Sequence, residues 1–83
     1  MGSDAFQSSI LEFDVDSEVD FQPILTSFIQ DLDGQISSYS YAVNGGTTHY
    51  SVTLKSKQEV TMELINAFSK QNPGIRAASA SKM

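Results

Sequence analysis

Asp14, Asp16, Glu18 and Asp20 form the densest group of chemistry-bearing side chains in this sequence. Hard divalent cations want clustered carboxylates, which makes Asp14, Asp16 and Glu18 weak candidates for Mg²⁺ or Ca²⁺. In a strand, however, alternate acids simply solvate one face, and Asp20 is better used as a helix cap. The solvated face is the stronger reading. Asp31-Leu-Asp33-Gly34-Gln-Ile36 has the look of the middle of an EF-hand loop. With Gly34 at loop position 6, positions 1 and 12 fall on Ile29 and Ser40, and neither supplies the carboxylate the loop requires. Gly34 is instead expected at the left-handed position that closes a helix.

His49 is the only imidazole. A catalytic His needs a nucleophile or an orienting partner, and a metal-binding His needs companions. Its strand position predicts an ordinary surface residue, with a pH-sensitive interface as the alternative. Gly45-Gly46 lacks the Lys-Ser/Thr of a phosphate loop and reads as a hairpin turn. Tyr39, Tyr41 and Tyr50 suit core packing with hydroxyls at the rim better than a base-stacking platform. No Gly-x-Ser-x-Gly elbow and no His-Glu-x-x-His pair occurs. The expectation is no enzyme, no catalytic residue and no cofactor.

The elements that position these side chains follow from periodicity. Residues 8–16 alternate from position 11: Leu11, Phe13 and Val15 share one face, Glu12, Asp14 and Asp16 the other. Residues 20–33 switch to a helical stripe of Phe21, Ile24, Leu25, Phe28, Ile29 and Leu32, with Asp20 as N-cap and Pro23 in the first turn. Residues 35–55 read as two strands around Asn44-Gly-Gly-Thr47. A two-residue loop sets Tyr41 opposite Tyr50, Tyr39 opposite Val52 and Ser37 opposite Leu54. A one-residue slip would move both tyrosines to the other face, so the face that carries them stays open. Residues 56–72 form a second helix, with Ser56 and Glu59 as a capping box and Val60, Leu64, Ile65 and Phe68 facing inward. Asn72-Pro-Gly74 stops it. Residues 75–81 make a last strand with Ile75 and Ala77 on one face.

Strand, helix, strand, strand, helix, strand is a split βαβ sandwich. Right-handed crossovers put both helices on one face of a four-stranded antiparallel sheet, in order 4-1-3-2. The fold class is α+β, ferredoxin-like. Residues 8–81 form one domain, residues 1–7 a flexible N-terminal segment or expression scar, and 82–83 a tail. An ordinary signal peptide is not expected from the first residues. The longest apolar runs fall far short of the roughly 20 residues of a membrane helix.

The chain has 83 residues, a net charge of −5 and no Cys, so neither disulfides nor thiolate metal clusters can staple a small core. Acidity argues against nucleic acid. The charge is segregated: residues 1–54 hold eight acids and no Lys or Arg, and residues 55–83 hold all five bases and two acids. In the expected sheet the two parts meet, Glu12, Asp14 and Asp16 on the first strand beside Arg76 and Lys82 on the last.

The Asp20–Gly34 helix, the Tyr50-Ser-Val-Thr-Leu54 strand and the helix ending Asn72-Pro-Gly-Ile-Arg76 resemble the ACT-like, ferredoxin-like regulatory domains. More narrowly, they resemble the soluble C-terminal domain of MgtC/SapB family membrane proteins. The resemblance covers residues 8–81. It implies a cytoplasmic regulatory or protein-interaction domain following several membrane spans of an inner-membrane protein. ACT domains that bind amino acids usually carry a Gly-containing turn after the first strand, and Asp16-Ser-Glu-Val-Asp20 has none. Acylphosphatase-like enzymes of this topology need an Arg in that loop, and copper chaperones need Cys-x-x-Cys; both are missing.

The expected function is therefore a non-enzymatic interaction module, with divalent-cation or small-ligand sensing as the alternative. The expected interaction face is the small, polar open side of the sheet: Ser38, Ser40, Ala42, His49, Ser51 and Thr53. The expected partner is a second copy of the chain, as a dimer, or another protein. A small ligand remains an option, nucleic acid does not, and a membrane enters only through an upstream segment.

Overall fold

A computed structural model describes residues 6–82. The elements are β1 (Gln7–Asp16), α1 (Phe21–Asp31), β2 (Gly34–Asn44), β3 (Thr47–Ser56), α2 (Met62–Gln71) and β4 (Ile75–Lys82). They form one antiparallel sheet of order β2-β3-β1-β4. Read from the other edge, this is the expected 4-1-3-2 sandwich. Of the expected N-terminal segment 1–7, residues 1–5 lie outside the described residues and Gln7 already begins β1; of the expected tail 82–83, Lys82 ends β4 and residue 83 lies outside the described residues.

The core is made by the two periods meeting. Leu11, Phe13 and Val15 of β1 and Val52 and Leu54 of β3 are all fully buried. Against them lie Phe21, Leu25, Ile29 and Leu32 from α1 and its C-cap, and Ile65 and Phe68 from α2. Phe13 sits at the centre, its ring 5.2 Å from Phe21 and 5.7 Å from Phe68. Phe28 and Phe68 stack at 4.1 Å and close the seam between the helices.

Several local expectations are corrected. The second helix does not begin at Ser56. That residue ends β3, is fully buried, and pairs with Gly34 on one side and Gln7 on the other. Its hydroxyl donates to the Gln58 carbonyl at 2.6 Å. Thr61 is the N-cap instead, accepting from the Leu64 N–H at 3.2 Å. Glu63 in the first turn and Lys70 in the last complement the helix dipole. At α1, Asp20 occupies the N-cap but its side chain makes no capping bond. The left-handed residue after α1 is Asp33, at φ 53°, rather than Gly34. Asp tolerates that region better than most residues. Gly34 is needed for close approach: a Cβ there would lie 3.2 Å from the Ile29 side chain and from the Lys55 carbonyl.

The hairpin pairs Tyr41 with Tyr50 and Tyr39 with Val52, as expected. Gly45 takes φ 64° at the first turn position, as a type II′ turn requires. A bulge between Ile36 and Ser38 then shifts the register, so Ile36 rather than Ser37 opposes Leu54. The bulge keeps an apolar residue on the helix-bearing face, where strict alternation would have placed a serine. A second irregularity between Asp14 and Val15 displaces Arg76 from the ladder. Ile75 is therefore buried, while Ala77 lies on the opposite face and Ala78 and Ala80 pack on the core.

Candidate functional site

The open face of the sheet gathers side chains from all four strands. Ser38 faces Thr53, Ser40 faces Ser51 and Ala42 faces His49 across β2 and β3. His49 also faces Asp14 across β3 and β1, and Asp14 faces Ala77 on β4. The expected interaction residues thus share one surface, and the small residues on both flanks leave room around the imidazole.

His49 is bound on both ring nitrogens. Its Nδ1 lies 2.7 Å from Asp14 Oδ1 and its Nε2 lies 3.2 Å from Glu12 Oε1. All three side chains are about half-exposed. The hydrogen bond that His49 donates to Asp14 is the main cause that raises the His49 pKa above the ordinary 6.5, and both carboxylate charges add to it against the opposing effect of desolvation. An imidazole held between two carboxylates is stabilised as the cation. Neither nitrogen is left to take a proton from a third group, which is poor geometry for a general base. Glu12, Asp14, His49, Ala77, Ala78 and Ser79 line a shallow hollow of about 140 Å³.

The other acids are placed separately. Asp16 Oδ1 is 2.6 Å from Arg76 Nε, the expected meeting of the first and last strands. Lys82 pairs with Glu59 at 3.0 Å rather than with a β1 acid. Glu18 is exposed in the turn after β1. Among the described residues, no three His, Asp or Glu side chains are grouped so as to hold a metal ion. No described helix is long and apolar enough to cross a membrane.

Two features were not read from the sequence. One is Glu12 as a partner of His49. Alternation put Glu12 on the right face, but its meeting with His49 depends on the β1–β3 register, which no turn fixes. The other is the apolar stripe on β2. Ile36, Tyr39, Tyr41 and Val43 are 42%, 37%, 62% and 64% exposed. They lie on the helix-bearing side, yet they stay open to solvent where Leu11, Phe13 and Val15 of β1 and Val52 and Leu54 of β3 are fully buried. Tyr39 and Tyr41 are thus not the expected core, whereas Tyr50 does pack against it, its ring 4.8 Å from that of Phe21. Their rings, with that of Tyr50, sit 5.9–6.2 Å apart in a triangle open to solvent on one side. Partial desolvation is the leading cause that raises the pKa of Tyr39 and of Tyr50. Between the helices a groove of about 540 Å³ runs past Ile24, Phe28, Leu64 and Phe68.

No known protein family and no curated protein sequence matches the chain. Solved structures do. The C-terminal domain of the MgtC protein from Mycobacterium tuberculosis superposes with a TM-score of 0.75 at 11% identity, covering 100% of this chain and 94% of that one. An ACT domain protein from Streptococcus pneumoniae gives 0.73 at 13% identity, over 94% of this chain and 90% of that one. The P2 domain of the chemotaxis kinase CheA from Thermotoga maritima, solved in complex with the response regulator CheY, gives 0.69 at 9% identity, over 94% and 99%. At these identities the likeness is one of fold: the chain is an ACT-like, ferredoxin-like βαββαβ domain.

Proposed function

We propose that the chain is a non-enzymatic regulatory module that acts by docking another protein on its open sheet face. We place it as the cytoplasmic soluble domain of an inner-membrane protein of the MgtC/SapB kind. The observation that carries the docking reading is the state of His49. The only imidazole is committed on both nitrogens to Glu12 and Asp14, on a surface otherwise built from small polar side chains. Such a surface is suited to contact rather than to proton transfer. The end-to-end likeness to the MgtC C-terminal domain supports the membrane-protein setting. That a domain of similar fold was solved in complex with a response regulator agrees with the protein partner. The docking face is Ser38, Ser40, Ala42, His49, Ser51 and Thr53.

A photo-crosslinking residue at Ser40 or Ser51 tests this in cells. The reading expects protein adducts from those positions and none from Asn66 on α2. Equal yields from both faces contradict it. A second reading, small-ligand sensing, is favoured by the hollow beside Glu12, Asp14 and His49. Titration with amino acids, followed by amide shifts, decides it. Localised shifts at those three residues support sensing, and their absence at millimolar ligand removes it.

A further inference from the structure

The three tyrosines come together from two strands. Tyr41 and Tyr50 are direct cross-strand partners, and Tyr39 lies two residues back along β2, opposite Val52. Side chains two apart on a strand share a face, so all three rings rise from the helix-bearing side. Their centroids form a nearly equilateral triangle: 6.1 Å for Tyr39–Tyr41, 6.2 Å for Tyr39–Tyr50 and 5.9 Å for Tyr41–Tyr50. The rings are tilted to one another by 38–57°, so none is stacked flat on its neighbour. Phe21 backs Tyr50 and anchors one corner of the triangle on the core.

The charge around the triangle has one sign. No Lys or Arg occurs before Lys55, so neither α1 nor β2 brings a cation of its own to these rings. Asp20 immediately precedes Phe21 at the N-cap of α1, where its side chain makes no capping bond. Among the described residues it forms no ion pair with a base. After desolvation and the neighbouring Tyr41, the Asp20 carboxylate is the next cause that raises the Tyr50 pKa, which puts it within electrostatic reach of the rings. An exposed acid without its usual local use therefore stands beside three aromatic rings.

The face of an aromatic ring is negative and attracts a cation held within about 6 Å of its centroid. A cation about 3 Å above the centre of this triangle lies about 5 Å from all three centroids at once. We propose that Tyr39, Tyr41 and Tyr50, with Asp20 at the rim, bind a methylated ammonium group, carried by a small solute or by a modified lysine side chain. A purely apolar occupant would take the three hydroxyls and the carboxylate out of water with nothing to pair them. A bare ammonium ion is too strongly hydrated to exchange its water for rings. A methylated ammonium has no N–H left to satisfy, and its charge is spread over methyl groups that can lie on the tyrosines and on Val43 beside them. The site is on the opposite side of the sheet from the docking face and does not depend on it.

Titration of the whole chain with tetramethylammonium chloride at fixed ionic strength, followed by the tyrosine ring resonances, tests this. Saturable shifts are expected at all three tyrosines, with half-saturation on the order of millimolar. Neopentyl alcohol, similar in shape and uncharged, should bind at least about ten-fold more weakly, as should ammonium chloride. Tyr41→Leu should weaken binding about three-fold, and Tyr39→Leu with Tyr41→Leu about ten-fold. Tyr41→Phe keeps the ring face and should stay within about two-fold of the wild type. Both positions are exposed, so circular dichroism should remain that of the folded chain. Asp20→Asn should weaken the cation and leave neopentyl alcohol unchanged. Choline and an N-acetyl trimethyl-lysine amide, titrated in parallel, separate the two sources: the tighter of them names the carrier. No saturable shift up to about 100 mM, equal binding of neopentyl alcohol, or undiminished binding in the double leucine variant overturns the site and leaves the open-face reading standing.

Discussion

Replacing Phe13 by leucine should destabilise the domain by about 2 kcal/mol. Phe13 is fully buried and meets Phe21 at 5.2 Å, tilted, and Phe68 at 5.7 Å, edge-on. Each such aromatic pair contributes roughly 0.5–1.5 kcal/mol beyond its buried area. Leucine keeps most of the volume, so the two lost pairs dominate and the residual void adds little. Phe13→Ala opens a full cavity and should cost about 3–5 kcal/mol. That is a large share of the roughly 4–12 kcal/mol expected for a domain of this size. In a domain this small, 1 kcal/mol moves Tm by roughly 4–8 °C, so Phe13→Leu should lower Tm by roughly 8–16 °C. Thermal and urea unfolding followed by circular dichroism reads this directly. Tyr41→Leu, at a residue 62% exposed, is the control and should move Tm little. If Phe13→Leu costs under about 0.5 kcal/mol, as surface changes do, β1 does not bury the face assigned to it.

A Cβ on Gly74 would collide with Val19 Cγ2. Gly74→Ala should therefore cost about 1–3 kcal/mol by overpacking. Val19→Ala should rescue it, and strictly additive melts across the four proteins would refute the contact. The raised pKa of His49 means its carboxylate contacts stabilise the fold fully below about 6.5, and that the contribution is lost as pH rises through the folded value. Tm should thus fall with pH across that window in the wild type and stay flatter in His49→Gln. In an NMR titration, Asp14→Asn should bring His49 back toward 6.5, and an unchanged midpoint would refute the hydrogen bond. Arg76→Ala removes an exposed pair with Asp16 and should cost less than about 1 kcal/mol in chemical denaturation.

The periods of β1 and α1 were plain in the sequence because each face is decided by burial. Leu11, Phe13 and Val15 against Glu12, Asp14 and Asp16 admit one orientation, and the helical stripe from Phe21 to Leu32 admits another. Two such units around a Gly-Gly hairpin left few topologies. What stayed hidden depends on events off the local period. The bulge at Ser37 and the displacement of Arg76 are one-residue departures with no composition of their own. Ser56 looked like a cap because local spacing cannot reveal that two neighbouring strands bracket it. The tyrosines were on the correct face, but their exposure depends on how far two short helices reach across four strands. His49 was placed on the right surface, while its partners came from a strand far away in sequence.

Amide hydrogen exchange along β2 tests the sheet at its centre. The Asn44–Thr47 pair closes the two-residue turn, so the N–H groups of Ala42, Ser40 and Ser38 are directed toward β3 and should be protected. Those of Tyr39, Tyr41 and Val43 lie on the outer edge of the sheet order β2-β3-β1-β4 and should exchange fast. Fast exchange at Ser38, Ser40 and Ala42, with protection at Tyr39, Tyr41 and Val43, would contradict the register that builds the open face.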